Sequence, residues 1–413
     1  MQLKVKPFKS SLSYSPQEIN NVLQSKIEEE NLIVENNSTS EAKHFDLELL
    51  KTVNYIPGKL NILSLFSGAG GLDLGIQMAH ATTKYGIEKS YTKINKKEEF
   101  NKLLTDIKII YSNDSYKLAN ETYLNNFDSS MVKDSRDIRE IINFPKSNLI
   151  LGGFPCPGFS ASGPRLLDDP RNFLYIHYIR ALIQSQPSFF IAENVKGLMT
   201  MANGHVLSQM KEDFSAAGYQ VTAYLVNARD YGVPQNRERV FIIGVRKDVV
   251  YKYGFKYNLP DATHGSMKIP YLTLRDAIGD LPLNPDDVFF SDYSSMYMSR
   301  NRKKHWDEQS FTIQASGRQA PQHPAGEPMK RIDKDLWKFE GDFNRRLSVR
   351  ECARIQTFPD WFTFSHSSKQ NISKNSILND QYKQIGNAVP VILAEKISRP
   401  IIEFLYQHQE LLK

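Results

Sequence analysis

Cysteine is nearly absent: Cys156 and Cys352 are the two in 413 residues. Two cysteines build neither the disulfide framework of a small secreted domain nor a four-cysteine zinc site. The scattered His264, His305 and His323 suggest no metal site either. Long apolar runs are also missing, and none approaches the roughly 18 residues a membrane-spanning helix needs. Met1 to Ile19 hold no apolar stretch of the secretory kind, so a cytoplasmic protein without membrane contact is expected. Charge of one sign is lacking too. Against 52 Lys+Arg stand 46 Asp+Glu, and the net +6 permits a polyanionic partner without requiring one.

What is present is the composition of a globular protein, 40% hydrophobic and 24% charged, in a chain long enough for two or three packed units. Residues 1–57 read as a small helical extension. Ser15-Pro16-Gln17-Glu18 is a helix start with proline at the first position, leading a helix to about Glu30, and Glu35 to Ser40 has linker composition. No chemistry is assigned to this segment. From Lys59 onward, apolar runs (60–66, 148–151, 189–192, 240–245) alternate with helical spacings (173–183, 206–214). That rhythm predicts an α/β fold with a mostly parallel sheet and helices on both faces. Residues 221–226 and 240–245 are placed as an antiparallel pair at one edge. The polar stretch 81–106 reads as an insertion. The rhythm stops near Lys247, so the chain divides into a core unit (58–247), a loop-rich unit (248–340) and a returning segment (341–413), with Pro400 expected to kink or break the last helix.

Three strand ends carry candidate chemistry. After the first strand, Phe66-Ser67-Gly68-Ala69-Gly70-Gly71-Leu72 is a glycine turn before a helix, which lets a ligand approach the backbone at a helix N-terminus. Such turns also occur as plain connections. Asp114 ends the apolar run 109–111, where an acidic residue can bond a ribose diol, and Asp137-Ile138 follows the next unit. Asp137 reads equally as a solvated helix cap. Pro155-Cys156-Pro157 sits in a loop after the run 148–151, an unusual place for a packing cysteine and a suitable one for a nucleophile. Cys352, on a helical pattern, reads as core. Glu193 follows the run 189–192 as either a helix cap or a catalytic acid, and Arg237 and Arg239 fall on one side of the strand they lead.

Taken in order, Phe-x-Gly-x-Gly-Gly, Pro-Cys, Glu-Asn-Val (193–195), Gln-x-Arg-x-Arg (235–239) and Gln384-Ile385-Gly386-Asn387-Ala388-Val389-Pro390 resemble the motifs of the DNA (cytosine-5) methyltransferases. The resemblance covers about residues 60 to 400. It implies a Rossmann-like S-adenosylmethionine-dependent methyltransferase domain with a smaller target recognition domain, acting as a monomer on double-stranded DNA. It also implies a restriction-modification role, whose endonuclease would form no stable complex with this chain. Cys156 would be the covalent nucleophile toward C6 of a flipped-out cytosine, and Glu193 the donor to N3, with a pKa above that of a solvated carboxylate. Arg237 and Arg239 would support the base. Phe66, Gly68, Gly70, Gly71, Leu72, Asp114, Asp137, Ile138, Pro155, Asn387 and Val389 would bind the cofactor. The chain departs from the family pattern at Asp114, where Glu is usual, and at Pro157, where Gln is common.

For target recognition, Tyr297 to Arg302 and Phe311 to Gln319 stand out. Arg300, Arg302, Gln314, Ser316, Arg318 and Gln319, with Ser160 and Arg165 of the loop after Cys156, are the candidate DNA contacts. Arginine and glutamine read base edges in the major groove, although any one basic residue can equally meet a phosphate. The two blocks look like those of enzymes acting on GGCC or related sites. The competing readings are a tRNA cytosine-5 methyltransferase on the same fold and a catalytically silent DNA-binding relative. The long loop-rich unit argues against the first, and intact Cys156, Glu193 and Arg239 argue against the second.

Overall fold

The computed structural model describes residues 15–155, 174–294, 303–334, 336–368 and 372–413. Seven strands form its main sheet: β1 (Leu60–Leu65), β2 (Ile107–Asn113), β3 (Val132–Asp134), β4 (Leu149–Gly152), β5 (Phe189–Val195), β6 (Tyr219–Asn227) and β7 (Glu238–Arg246). Their order is β3-β2-β1-β4-β5-β7-β6. β1 to β5 run parallel, while β7 is antiparallel to both β5 and the edge strand β6. The expected α/β architecture with an antiparallel edge is therefore present.

Apolar residues on both faces explain why these runs read as continuous. Leu149, Leu151, Phe189, Ile191, Phe241 and Ile243 face one layer of the core, and their neighbours Ile150, Phe190, Ala192, Val240 and Ile242 face the other. The first layer holds α3 (Gly71–Tyr85) and the helix Val391–Gln407. These two approach closely at Gly75, where a Cβ would stand 2.3 Å from that of Ala394. The second layer holds the helices Leu174–Ser185 and His205–Ala216. The insertion 81–106 adds two short helices, Ile87–Lys93 and Lys97–Asn101. Between β7 and the helix Lys374–Asn387 the described residues contain short helices, a small three-stranded sheet and long irregular stretches.

Three expectations need correction. The N-terminal helix α1 (Pro16–Asn37) runs past Glu30, and the stretch read as a linker is cut to Ser38 and Thr39 before α2 (Ser40–Lys51), which Thr39 caps. Serine and threonine there are caps rather than spacer. The last helix, whose helical pattern reads from Ala388 to Leu405 in sequence, begins at Val391, because Ala388 caps the preceding helix Lys374–Asn387 and Pro390 leads into the next turn. That last helix passes through Pro400 without a break. Ile397, Ile401, Ile402 and Leu405 are fully buried around the proline, and their burial outweighs the ~3 kcal/mol an interior proline costs.

Candidate active site

Strand register sets four chain segments side by side. Leu65 pairs with both Asn113 and Gly152, and Gly152 pairs with Ala192. The residues that follow, Phe66, Asp114, Gly153 and Glu193, therefore stand together at the carboxyl edge, where β1, β2 and β4 end while β5 continues through Glu193 to Val195, paired with β7. The strand order reverses between β1 and β4, the position where open α/β sheets bind ligands. A cavity of about 420 Å³ lies there. Its lining includes Phe66, Gly68, Gly71, Leu72, Asp114, Pro155, Glu193, Asn387 and Val389.

The glycine turn is held in a shape only these residues tolerate. Gly68 has φ +53 and Gly70 φ +88, and a Cβ on Gly70 would stand 2.4 Å from the Phe127 ring. Phe66 itself has φ 52, a left-handed conformation that costs a bulky residue about 1 kcal/mol or more. Gly70 thus shapes the turn from behind. Gly71 presses on the last motif, with its Cβ position 2.3 Å from the Val389 carbonyl oxygen. Asp114 closes the opposite wall: its Oδ2 accepts from the Gly68 amide at 2.9 Å and its Oδ1 from the Tyr116 amide at 2.8 Å. Each carboxylate oxygen keeps a further lone pair for a ligand hydroxyl.

Glu193 is 13% exposed, and its Oε1 lies 2.9 Å from Nε of Arg239. Burial pushes its carboxyl up from the ordinary value, against Arg239 and Arg237, which pull it down. The net direction, raised, is the one the resemblance implies. Arg239 also donates to the Glu238 carbonyl at 2.8 Å.

Arg237 is placed differently from the catalytic role expected of it. Only 1% exposed, its guanidinium donates to the backbone carbonyls of Ile313, Gly386 and Ala388 at 3.1, 2.7 and 3.0 Å. It is absent from the cavity lining. Gln235 does similar work, accepting from the Ile313 amide and donating to Gln356, which in turn donates to the carbonyls of Ile385 and Ala388. Three motifs distant in sequence are thereby tied into one knot. Asp137 and Ile138 also lie outside the cavity lining. Asp137 caps its own turn and pairs with Arg139 at 2.7 Å, and Ile138 is core. Cys352 is fully buried, as expected.

Among the DNA candidates, Ser316 bonds Asn379 at 3.2 Å, Gln314 abuts Gly386 and Arg318 is exposed on a short turn that includes Gln319. Cys156, Ser160, Arg165, Arg300 and Arg302 lie outside the described residues.

Sequence reasoning missed the groups beneath the cavity. Asp73 is buried and accepts from the Tyr123 hydroxyl at 2.9 Å. Lys133 donates to Ser67 and Ser112 at 3.0 and 2.9 Å, and burial brings its ammonium down to about 8. β3 is three residues long, too short for alternation to signal which way Lys133 points. Tyr116 and Lys383, another missed pair, line the cavity with the ammonium 4.2 Å above the ring centre.

The family model for C-5 cytosine-specific DNA methylases matches residues 60–403. The chain belongs to that family. Type II methyltransferase M.BsuRI of Bacillus subtilis is 53% identical over 410 residues, 98% of this chain and 92% of that protein. Type II methyltransferase M.BspRI of Lysinibacillus sphaericus is 50% identical, over 96% of this chain and 92% of its own length. A solved structure of a Spodoptera frugiperda DNMT2 variant superposes with a TM-score of 0.55 at 18% identity, covering 84% of this chain and all of that one, and supports the fold alone. The protein is a DNA (cytosine-5) methyltransferase whose methyl donor is S-adenosylmethionine. No helix among the described residues is long and apolar enough to cross a membrane.

Proposed function

We propose that this protein methylates C5 of a flipped-out cytosine in a short duplex site, GGCC or a close variant, and guards DNA within a restriction-modification system. The Type II relatives at 53% and 50% identity support the biological role. A monomer suffices for the chemistry, with no stable endonuclease complex.

The observation that carries the reading is Glu193, buried on the cavity wall beside Pro155 and joined to Arg239. The cavity fits S-adenosylmethionine in size and in acceptors for its ribose hydroxyls: about 420 Å³, a further lone pair on each Asp114 oxygen, and a glycine turn with open space above Gly68. Asp114 would hold the ribose, the 66–72 turn the methionine end, and Asn387 and Val389 the closing wall. Asp137 and Ile138, which the resemblance would set against the adenine, lie outside the lining of this cavity, with Asp137 paired to Arg139. Bound there, the cofactor supplies an electrophilic methyl group. The Cys156 thiolate bonds C6 of cytosine while Glu193 gives its proton to N3, which makes C5 nucleophilic. Arg239 holds the base oxygen and steadies the ionised Glu193. Once C5 carries the methyl group, loss of the C5 proton to water, release of the Cys156 thiolate from C6 and return of the N3 proton to Glu193 restore the aromatic ring. Because a stacked base is out of reach, the cytosine must leave the duplex first.

Bisulfite sequencing of DNA from cells expressing the protein tests this reading. Methylated cytosine is expected within GGCC, and none from the Cys156→Ser variant. Methylation in another context overturns the site, and full activity of the serine variant overturns the nucleophile.

A further inference from the structure

The N-terminal helices carry no family motif, yet they reach the cavity through a chain of buried polar contacts. In α2 the buried residue is not apolar: it is Asp46, 1% exposed, while Phe45 and Leu47 beside it are each 53% exposed. A helix held by the hydrophobic effect would show the reverse, and a buried carboxylate is tolerated only when paired. Asp46 is paired by charge on one oxygen, Oδ1, which accepts no hydrogen bond, and by two hydrogen bonds on the other. Its Oδ1 lies 2.9 Å from Nη1 of Arg136, and its Oδ2 accepts from the backbone and side-chain amides of Asn143 at 3.2 and 3.1 Å. Phe45 packs its ring under the same guanidinium, 5.2 Å from the ring centre.

Arg136 passes the connection on. Its other nitrogens grip Asp134 at 2.6 to 3.1 Å, and the Tyr111 hydroxyl donates to that carboxylate at 2.6 Å. The Asn113 side chain donates to the carbonyls of Asp134 and Arg136, and the Asp114 amide to the carbonyl of Asp134. The Asn113 carbonyl accepts from the Ser67 amide in the glycine turn, and Asp114 accepts from Gly68. Every link from α2 to the turn is thus a hydrogen bond or an ion pair.

We propose that α2 braces the cofactor cavity, with Asp46 as a positioning residue that fixes the ends of β2 and β3 through Arg136 and so sets Asp114 for the ribose. This rests on the reading of that cavity as the S-adenosylmethionine site. α1 docks independently: Asn31 accepts from Arg180 at 2.7 Å, and Glu30 lies 3.7 Å from His177. Loss of Asp46 therefore leaves the extension in place and slackens one tie.

The test uses the full-length protein. S-adenosylmethionine affinity is measured by calorimetry, with KM, kcat and duplex affinity alongside, for Asp46→Asn, for Asp114→Ala, and for Glu48→Gln, an exposed neighbour on the same helix. Asp46→Asn should raise Kd and KM for S-adenosylmethionine roughly 10-fold, as displaced positioning groups do, with kcat at saturation and DNA affinity within about 2-fold and Glu48→Gln like the parent. An unchanged cofactor Kd in Asp46→Asn, with a weakened one in Asp114→Ala, overturns the brace and leaves the cavity reading standing. An unchanged Kd in Asp114→Ala overturns the cavity reading itself, and the brace with it. A parallel fall of cofactor affinity, DNA affinity and kcat in Asp46→Asn shows general loosening and also overturns the brace. Should Asp46→Asn not be recovered folded, Arg136→Gln cuts the same chain from the other side and is judged by the same outcomes.

Discussion

At the carboxyl edge of the sheet, Phe66, Asp114, Gly153 and Glu193 stand together because the parallel strands before them are in register. From Ser310 to Gln319 the chain has no such frame. It contains one short turn, Gly317–Gln319, and is held by side chains from elsewhere: Gln235 on the Ile313 amide, Arg237 on the Ile313 carbonyl, Asn379 on Ser316 and the Gly317 amide. In the first region, regular structure places the chemistry. In the second, buried polar side chains replace regular structure, and the same side chains tie it to the Gly386–Ala388 wall of the cavity. A segment held this way can vary its outward residues, such as Arg318, without disturbing what anchors it.

Breaking the tie should have the largest effect. Arg237→Met keeps much of the side chain's volume but strips donors from three buried carbonyls, of which Ala388 alone retains a second one from Gln356. The expected loss is about 3 kcal/mol of stability, read from urea midpoints. The Ser310–Gln319 segment should then exchange its amides faster, while β4 and β5 stay protected. Equal loosening of both regions would mean that the segment and the sheet unfold as one unit, which removes the contrast drawn above.

The sheet region and its N-terminal clasp are open to pH. Burial, with Arg180 nearby, brings the His177 imidazole down to about 4, and Nδ1 lies 3.1 Å from Nη1 of Arg180. Above the ordinary value of 6.5 the ring is neutral folded or unfolded. As pH falls from there toward 4, the unfolded chain takes up the proton and the folded one does not, so stability drains away across that window. At pH 5 the loss amounts to about 2 kcal/mol for this one residue. His80, also brought down to about 4 by burial, acts in the same direction. His177→Gln keeps an acceptor for Arg180 and should flatten the fall in urea midpoint between pH 7 and pH 5 by that amount. An unchanged slope would place the proton uptake elsewhere.

These two regions also differ in how far they could be read from sequence. The strands were legible because Leu149 to Leu151 and Phe189 to Ala192 are apolar on both faces, and the glycine turn because Gly70 admits no side chain. Glu193 was legible as a carboxylate after four apolar residues but not as a mid-strand residue: β5 continues through it to Val195, which leaves no place for the helix cap also considered. Arg237 was legible as a residue and misread as a role, because its partners lie 76 to 151 positions away and are backbone carbonyls without any sequence signature. α2 escaped notice for a related reason: its fully buried residue is Asp46, and of its apolar residues only Leu49 packs on the core, so hydrophobic periodicity gives little trace of its docking. A break at Pro400 is absent because the buried residues around it hold the helix together, and local propensity carries no sign of that core.

Arg318 gives the smallest expected effect, and its fold and function should separate cleanly. It is exposed, and its backbone carbonyl, not its side chain, accepts from Arg346 at 3.3 Å. Arg318→Ala should therefore move stability by less than about 0.5 kcal/mol, as surface changes do. If its guanidinium meets a base edge, affinity for the preferred site should fall about tenfold while affinity for unrelated duplex stays unchanged, so that methylation spreads to related sequences. A phosphate contact gives a different result: a uniform fall on all duplexes, and a salt dependence shallower by about one charge. Binding measured on both kinds of duplex across a salt series distinguishes the two. The base-reading role is abandoned if the losses on cognate and unrelated DNA are equal, since an anchored segment presenting only phosphate contacts would hold DNA without choosing its sequence.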